Sequence, residues 1–256
     1  MVRNSLRLVT SIIFAVGASI FATPSIAQEG CEPTLVAETS AGAMVRLAVS
    51  STCHAGQSVV IHHNGMMISE MMDDTGMLLL AIPALTETAF FMAELGTDGS
   101  VAVATTAVPS LSFYDRVALQ WKGNSGLELH AREFEGAYMS EDHVWRETPQ
   151  SMDRAALGEG VFLVSLGRED AAEGNQAEVY TFPSATVSRV GTVLMSVEAV
   201  ISQGNCATDV AAQAIQVKSC GDLAVRELSI SMPSCDSEGD IIVLGALVDD
   251  IKIGSN

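Results

Sequence analysis

The dipeptide Asn64-Gly65, which lies between two apolar-rich runs, constrains the fold of this chain more than any other feature. Both central positions of a type I′ turn need a positive φ, and Asn-Gly is the strongest two-residue signal for such a turn. A two-residue loop fixes the register, so that His63 faces Met66 and His62 faces Met67. Successive side chains of a strand alternate between faces, so we expect the two histidines on opposite sides of a β-hairpin.

A second turn, at Asp73–Gly76, leads into an uninterrupted apolar run, Met77–Ile82, which Pro83 closes. Unbroken apolar runs are typical of strands that are covered on both faces. The sequence therefore predicts that this run is a buried third strand beside the hairpin, in a three-stranded meander.

The hairpin also suggests metal binding, because imidazole and thioether groups together suit Cu(I). The residues concerned are His62, His63, Met66 and Met67. The predicted register gives each face one His–Met pair, so the two histidines can share an ion only if the strand is bulged. Methionine is also a common gap-filler in protein cores. Packing is therefore the favoured interpretation, and neither a metal nor another cofactor is expected.

Residues 1–27 have the three parts of a secretory signal peptide. Arg3 and Arg7 supply the positive segment, Leu8–Phe21 the apolar segment, and Ser25-Ile26-Ala27 the small residues of a cleavage site. The apolar segment is short for a membrane span, so we favour cleavage over retention as an anchor. The expected location is the periplasm or the extracellular space.

The chain is strongly acidic, with a formal net charge of −18. Such a surface repels nucleic acid and anionic membranes, and it favours solubility or cationic partners. No segment after residue 27 has the apolar length of a transmembrane helix. We therefore exclude nucleic acid as a partner and expect a protein or another component of the cell envelope.

All five cysteines lie after the predicted signal peptide, in the part of the chain that an oxidising compartment receives. Cys31 and Cys53 bracket the first strand region, and we predict that they pair. Cys206 and Cys235 are symmetric about a turn between two predicted strands, so they flank the open end of a hairpin. Cys220 lies in that turn and is then the free thiol. Sequence alone does not fix connectivity, so both bridges stand as predictions.

Short apolar runs separated by turn residues every 8–12 positions or so indicate β-sandwiches, and no sustained helical period appears. We divide the chain into a signal peptide (1–27), an N-terminal immunoglobulin-like sandwich (28–108) and a C-terminal sandwich (109–256). The Cys–Trp–Cys spacing of true immunoglobulin domains is missing. The predicted fold class is all-β, with two β-sandwich-like domains stabilised by disulfides.

The C-terminal region opens with two predicted strands, Arg116–Trp121 and Leu127–Ala131, which we expect to form another hairpin. On the second strand, Glu128, His130 and Arg132 share a face. Glu128 and His130, with Glu133, suggest a metal or acid–base set. A solvated face is the simpler interpretation, and we favour it.

Residues 135–159 are polar and irregular, so we predict a long loop with one helical turn at Ser151–Leu157. Loops of this length without their own secondary structure are often functional. The candidate binding residues in this loop are Tyr138, His143 and Trp145.

Five segments carry a resemblance to known proteins: Cys53–Gln57, His62–Met66, Tyr114–Trp121, Leu129–Ala131 and His143–Trp145. At these positions the chain resembles a group of uncharacterised exported bacterial proteins that often bear the automatic label "translocase". The resemblance covers most of the mature chain and implies no functional residues. The label itself finds no support, because the sequence has no G-x-x-x-x-G-K-[ST] nucleotide loop and no basic channel.

Catalytic motifs are also missing. The stretch Gly123–Gly126 lacks the G-x-S-x-G spacing of a nucleophile elbow. The sequence therefore favours a non-enzymatic exported β-protein that is a binding or structural module of the cell envelope. Two alternatives stay open: periplasmic copper binding through the His/Met-rich hairpin 62–77, and an envelope hydrolase whose residues are unidentified.

Overall fold

The computed structural model describes residues 31–157, 160–168, 173–219 and 221–254. The predicted signal peptide and the predicted free thiol, Cys220, lie outside the described residues. Within these ranges the chain is almost entirely β and forms four antiparallel sheets. The only α-helix among them is α1 (Met152–Ala156), at the predicted helical turn. No helix in the described ranges is long and apolar enough to cross a membrane.

Seven strands build the N-terminal region: β1 (Thr34–Ser40), β2 (Met44–Ser50), β3 (Ser58–His63), β4 (Met66–Met71), β5 (Met77–Pro83), β6 (Thr88–Leu95) and β7 (Ser100–Ala107). Sheet I has the order β1-β2-β5, and sheet II has the order β4-β3-β6-β7. The chain changes sheets after β2, β4 and β5, which gives a Greek-key sandwich of the immunoglobulin-like type.

Ten strands build the C-terminal region: β8 (Asp115–Lys122), β9 (Leu127–Glu133), β10 (His143–Val144), β11 (Phe162–Leu166), β12 (Asn175–Phe182), β13 (Gly191–Val200), β14 (Asp209–Val217), β15 (Leu223–Ser231), β16 (Ile241–Gly245) and β17 (Ile251–Ile253). Sheet III has the order β11-β12-β8-β14-β15. Sheet IV has the order β10-β9-β13-β16, and β17 also pairs with β13. The predicted all-β, sandwich-like fold class is confirmed.

The Asn64-Gly65 hairpin is confirmed with its predicted register, in which His62 faces Met67 and His63 faces Met66. The prediction of a three-stranded meander is wrong, because β5 crosses to sheet I and pairs with β2 instead of β4. The intervening turn is tied to the end of β2, since the Ser51 amide donates to the Gly76 carbonyl at 2.8 Å. A Cβ at Gly76 would lie 2.2 Å from the Ser51 carbonyl oxygen, so this close approach requires glycine.

The expectation that Met77–Ile82 is covered on both faces is also wrong. Strand β5 is one of the two edge strands of sheet I, and its Leu79 side chain is 72% exposed. An apolar run without polar interruptions does not distinguish a doubly covered strand from an edge strand with one open face.

The predicted hairpin of β8 and β9 is wrong as well. Strand β8 lies between β12 and β14 in sheet III, whereas β9 lies between β10 and β13 in sheet IV. The link passes tightly against sheet IV, where a Cβ at Gly126 would lie 2.4 Å from the Val200 carbonyl oxygen. The Asn205 side chain fixes this crossing by donating to the Ser125 and Val200 carbonyls at 2.7 and 2.8 Å.

Both predicted disulfides are confirmed. Cys31 bonds to Cys53 beside β2, and Cys206 bonds to Cys235. The second bridge joins the ends of the β14–β15 hairpin, just beyond the pair formed by Asp209 and Ser231. Symmetry of the two cysteines about the hairpin turn was therefore a valid geometric guide.

The two sandwiches share a buried contact through the outer face of sheet III. Arg116 on β8 is fully buried and donates to the carbonyl oxygens of Gly42, Ala43 and Ala84. Burial lowers the pKa of Arg116 to about 9. The predicted boundary falls at the 3-10 helix Pro109–Phe113. Because the apolar core of the N-terminal region continues into sheet III, the division into two domains stays a prediction.

Candidate functional site

The segment between β9 and α1, residues 134–151, folds back against sheet IV. Part of it forms β10, which pairs with β9 so that His143 lies opposite Arg132. Phe134, Glu135 and Met139 have positive φ values of 50°, 62° and 63°, so the chain turns through left-handed backbone here. We call residues 134–150 the ring loop.

The ring loop covers the face of β9 that we expected to be solvated. His130 is 2% exposed, so that expectation is wrong. Its imidazole stacks with two aromatic rings of the loop, 5.0 Å from the Trp145 ring and 6.1 Å from the Tyr138 ring, with interplanar angles of 20° and 11°. The structure thus brings the three predicted binding residues, Tyr138, His143 and Trp145, together around a fourth residue.

The two imidazoles form a hydrogen-bond chain with a defined direction. The Met139 amide donates to His143 Nδ1 at 3.1 Å, so neutral His143 carries its proton on Nε2. That nitrogen lies 2.9 Å from His130 Nδ1, which must therefore accept. The His130 proton is then on Nε2, 3.4 Å from Glu128 Oε2. Burial and the neighbouring His130 lower the pKa of His143, which favours this neutral arrangement.

A buried carboxylate from the next strand completes the cluster. Glu198 lies opposite Glu128 in the β9–β13 register and is 2% exposed. The Tyr138 hydroxyl donates to Glu198 Oε2 at 2.5 Å. Glu198 Oε1 accepts no hydrogen bond from the described residues and lies 3.7 Å from His130 Nδ1. Burial and Glu198 raise the pKa of Tyr138 to about 12, so the phenol keeps its proton.

The tautomers argue against a metal ion between the two histidines. A metal ligand must offer a nitrogen lone pair, but the Met139 amide already occupies His143 Nδ1 and leaves the proton on Nε2. Among the described residues, no group of three or more His, Cys, Asp or Glu side chains has an arrangement that could hold a metal. The cluster is better suited to holding the ring loop in place.

A second buried carboxylate anchors the ring loop to sheet III. Glu178 Oε1 accepts from Arg146 Nε at 2.8 Å, and its Oε2 accepts from the Leu129 amide at 2.6 Å. Burial raises the pKa of Glu178, and Arg146 opposes that rise. Because both carboxylate oxygens are hydrogen-bonded, this pair is a structural anchor with no free acceptor.

One side of the ring loop faces outward. Tyr138 is 47% exposed although its hydroxyl is bonded, and Met139 is more exposed still. Val243 on β16 is directly opposite Glu198 and also exposed, so it lies on the same face. We call Tyr138, Met139, Trp145 and Val243 the loop surface. Beside it, a groove of about 660 Å³ is lined by Met139, Glu141, Asp142, Thr148 and Arg154, among others.

The two histidines of the hairpin, His62 and His63, lie on opposite faces of sheet II, as the hairpin register predicts. His63 is fully buried and stacks 4.2 Å from Phe91. Its Nδ1 donates to the Phe90 carbonyl at 2.9 Å, and its Nε2 accepts from the Leu85 amide at 2.8 Å. Burial lowers the pKa of His63 to about 4. Neither nitrogen is free, and the paired Met66 lies in the apolar core, so this half of the predicted alternative is structural packing.

His130, Glu198 and Glu128 are the site residues that sequence reasoning passed over or set aside. The shared face of Glu128 and His130 was a usable signal, but alternation does not reveal what covers that face. Glu198 had no local signal, because only the pairing of β9 with β13 brings it near.

No protein-family model matches the chain, and no curated protein matches it. Among solved structures, the chain is weakly similar to the collagen binding domain of the Erysipelothrix rhusiopathiae surface protein RspB, with 8% identity and a TM-score of 0.16. The match covers 79% of this chain and 65% of that one, which is less than two thirds of its length. Similarity at this level carries no inference about fold or function, and the resemblance to translocase-labelled proteins stays a prediction.

Proposed function

We propose that this protein is an exported, non-catalytic binding module of the cell envelope that engages its partner through the loop surface. The observation that carries the proposal is the buried cluster of His130, His143 and Glu198, which holds an aromatic loop rigidly while Tyr138 and Met139 stay open to solvent. Binding residues are commonly presented on loops that a rigid scaffold positions. Two disulfides support export, because such bonds persist in oxidising compartments.

The chemistry around the loop surface favours a partner with basic and apolar groups. Tyr138, Met139 and Val243 supply apolar area, and Glu128 and Glu198 place two carboxylates directly opposite one another beneath it. The net charge of −18 adds long-range attraction for a cationic partner. We therefore expect a protein with a basic, partly apolar surface.

A non-catalytic role is supported by how the imidazoles are used. Their hydrogen-bond chain runs from a backbone amide to Glu128. Within the described part of the chain, no Ser or Thr hydroxyl and no Cys thiol is hydrogen-bonded to the imidazole ring of His130 or His143, and the Thr148 hydroxyl donates only to the His143 backbone carbonyl. A nucleophile next to a general base is the arrangement that covalent catalysis needs.

The test uses the full-length exported protein, immobilised and incubated with envelope extract of the producing cells. The variant Met139→Lys/Val243→Lys replaces two exposed apolar side chains of the loop surface with positive charges that repel a basic partner, without touching the buried cluster. We expect it to lose a basic partner that the unchanged protein retains and that high salt releases. Leu79→Lys, at an exposed position on β5 of the other sandwich, is the matched control and should retain the partner. An identical set of retained proteins for both variants would refute the loop surface as the binding site.

A further inference from the structure

The outer face of sheet II carries a row of soft metal ligands that sequence order does not reveal. Strand β3 lies between β4 and β6, and His62 on β3 is directly opposite Met67 on β4 and Met92 on β6. Directly paired residues project on the same side of a sheet. Three neighbouring strands thus place one imidazole between two thioethers.

The hairpin geometry brings these side chains within reach of one ion. His63 and Met66 flank the two-residue turn as a hydrogen-bonded pair, so His62 and Met67 form the closer, non-hydrogen-bonded pair, with Cα atoms about 4.5 Å apart. On its other side His62 forms the wider type of pair with Met92, at about 5.5 Å. Methionine has three rotatable bonds, so both sulfur atoms can turn toward the imidazole.

His62 has the unsatisfied nitrogen that His63 lacks. Its Nε2 is sealed from solvent and makes no hydrogen bond within the described residues. Glu94 Oε2, from the same face of β6, lies 3.5 Å from that nitrogen. Metal-binding histidines commonly have one ring nitrogen oriented by a carboxylate, while the other nitrogen binds the ion. In His62 the carboxylate faces Nε2, which leaves Nδ1 as the nitrogen for the ion.

The donor set selects the metal. Thioether and imidazole ligands favour Cu(I), whereas zinc sites use thiolates, imidazoles and carboxylates, and calcium or magnesium sites use oxygen ligands. The surroundings are apolar, because Phe90 and Val103 lie on the same face and are about half exposed.

We propose that Met67, His62 and Met92 bind one Cu(I) ion on the outer face of sheet II, with Glu94 orienting the imidazole. The site is independent of the loop surface, which lies on sheet IV. Compared with the sequence prediction, the structure removes His63 and Met66 from the ligand set and adds Met92 from a third strand.

The test is an anaerobic titration of the full-length exported protein with Cu(I), in competition with a chromophoric Cu(I) chelator. We expect one tightly bound equivalent and an X-ray absorption spectrum with two sulfur ligands and one nitrogen ligand. His62→Ala and the volume-conserving pair Met67→Leu/Met92→Leu should abolish tight binding. Glu94→Gln should weaken it about tenfold, as expected for a ligand-orienting carboxylate.

The matched control is Met71→Leu, since Met71 is on the same strand and has the same 37% exposure as Met67 but pairs with Ser58. It should bind Cu(I) like the unchanged protein, and circular dichroism should show that every variant is folded. Binding that survives Met67→Leu/Met92→Leu, or that falls equally in Met71→Leu, would overturn the proposal. The proposal would also be overturned if the competing chelator kept all the copper in the titration of the unchanged protein.

Discussion

The two histidine pairs of this protein have opposite relations between sequence and space. His62 and His63 are adjacent in the chain, yet strand alternation directs them to opposite faces of sheet II. His130 on β9 and His143 on β10 are 13 residues apart in the chain, yet their imidazole nitrogens are 2.9 Å apart. Neighbours in sequence are separated by strand geometry, and distant residues are joined when a loop returns as a paired strand.

The buried histidines also differ in the groups to which their rings are hydrogen-bonded. His63 bonds to two backbone groups, so its position follows directly from the path of the chain. His130 and His143 bond mainly to side chains, and Glu198 Oε1 beside them accepts no hydrogen bond from the described residues. The first arrangement is fixed by the backbone of the core, whereas the second depends on side chains that β9, β10 and β13 bring together.

The largest loss of stability should come from replacing His63. In His63→Leu the Leu85 amide and the Phe90 carbonyl lose their partners inside the core, and each unpaired buried group costs about 1–3 kcal/mol. We expect the free energy of unfolding to fall by about 4 kcal/mol. His62→Leu, on the open face, should change it by less than about 0.5 kcal/mol. Urea unfolding of both variants measures the difference, and equal losses would contradict the assignment of His63 as the structural member.

Acid should reproduce part of that loss without a mutation. The pKa of His63 is lowered from 6.5 to about 4, so its contribution to stability is complete above pH 6.5 and is lost as the pH falls toward 4. The shift corresponds to about 3 kcal/mol. Glu133 acts in the opposite direction, because burial raises its pKa to about 7 and stability is lost as the pH rises from 4.5 to 7.

The two contributions can be separated in Glu133→Gln, which removes the opposing titration. The free energy of unfolding of this variant should fall steadily as the pH is lowered from 6.5 to 4. Proton NMR should show the His63 ring titrating near pH 4. A His63 ring that titrates near 6.5 would show that it is accessible to water.

Local rules were enough to predict some of these features. Asn64-Gly65 gave the hairpin and its register, and the symmetry of Cys206 and Cys235 gave a disulfide, because both depend on residues near one turn. The partners of β5 and β9 were not predictable in this way. Each strand follows a short link that changes sheets, and the glycines that permit the change look the same as those of a hairpin.

The candidate site was predictable only in part. Tyr138, His143 and Trp145 were found because a long polar loop with aromatic residues is unusual. His130 was assigned to solvent because period-two alternation identifies a polar face but not what covers it. Glu198 and Met92 depend on the neighbours of β9 and β3 within their sheets, which non-local pairing decides.

A smaller loss of stability should come from breaking the hydrogen bond between His130 and His143. His143→Leu leaves the Met139 amide and His130 Nδ1 without their partners, at a cost of about 2 kcal/mol. Because the loss is confined to the ring loop, Trp145 fluorescence should shift to the red and amide exchange in residues 134–150 should accelerate. His62→Leu, the same substitution on an open face, should leave both signals unchanged. A uniform loss of stability without local opening would contradict the loop-holding role.

The smallest effect should come from the hydroxyl that links Tyr138 to Glu198. Tyr138→Phe keeps the ring but removes the donor to Glu198 Oε2, so we expect a loss of about 1 kcal/mol. In a Glu198→Gln background the same substitution should cost less, because the buried carboxylate that needs the hydroxyl is gone. A double-mutant cycle by urea unfolding measures this coupling, which should be about 0.5–1.5 kcal/mol. No coupling would mean that Tyr138 is held only by packing against His143. The cluster would then resemble the His63 site, with each residue fixed by its own strand, and the contrast between the two pairs would disappear.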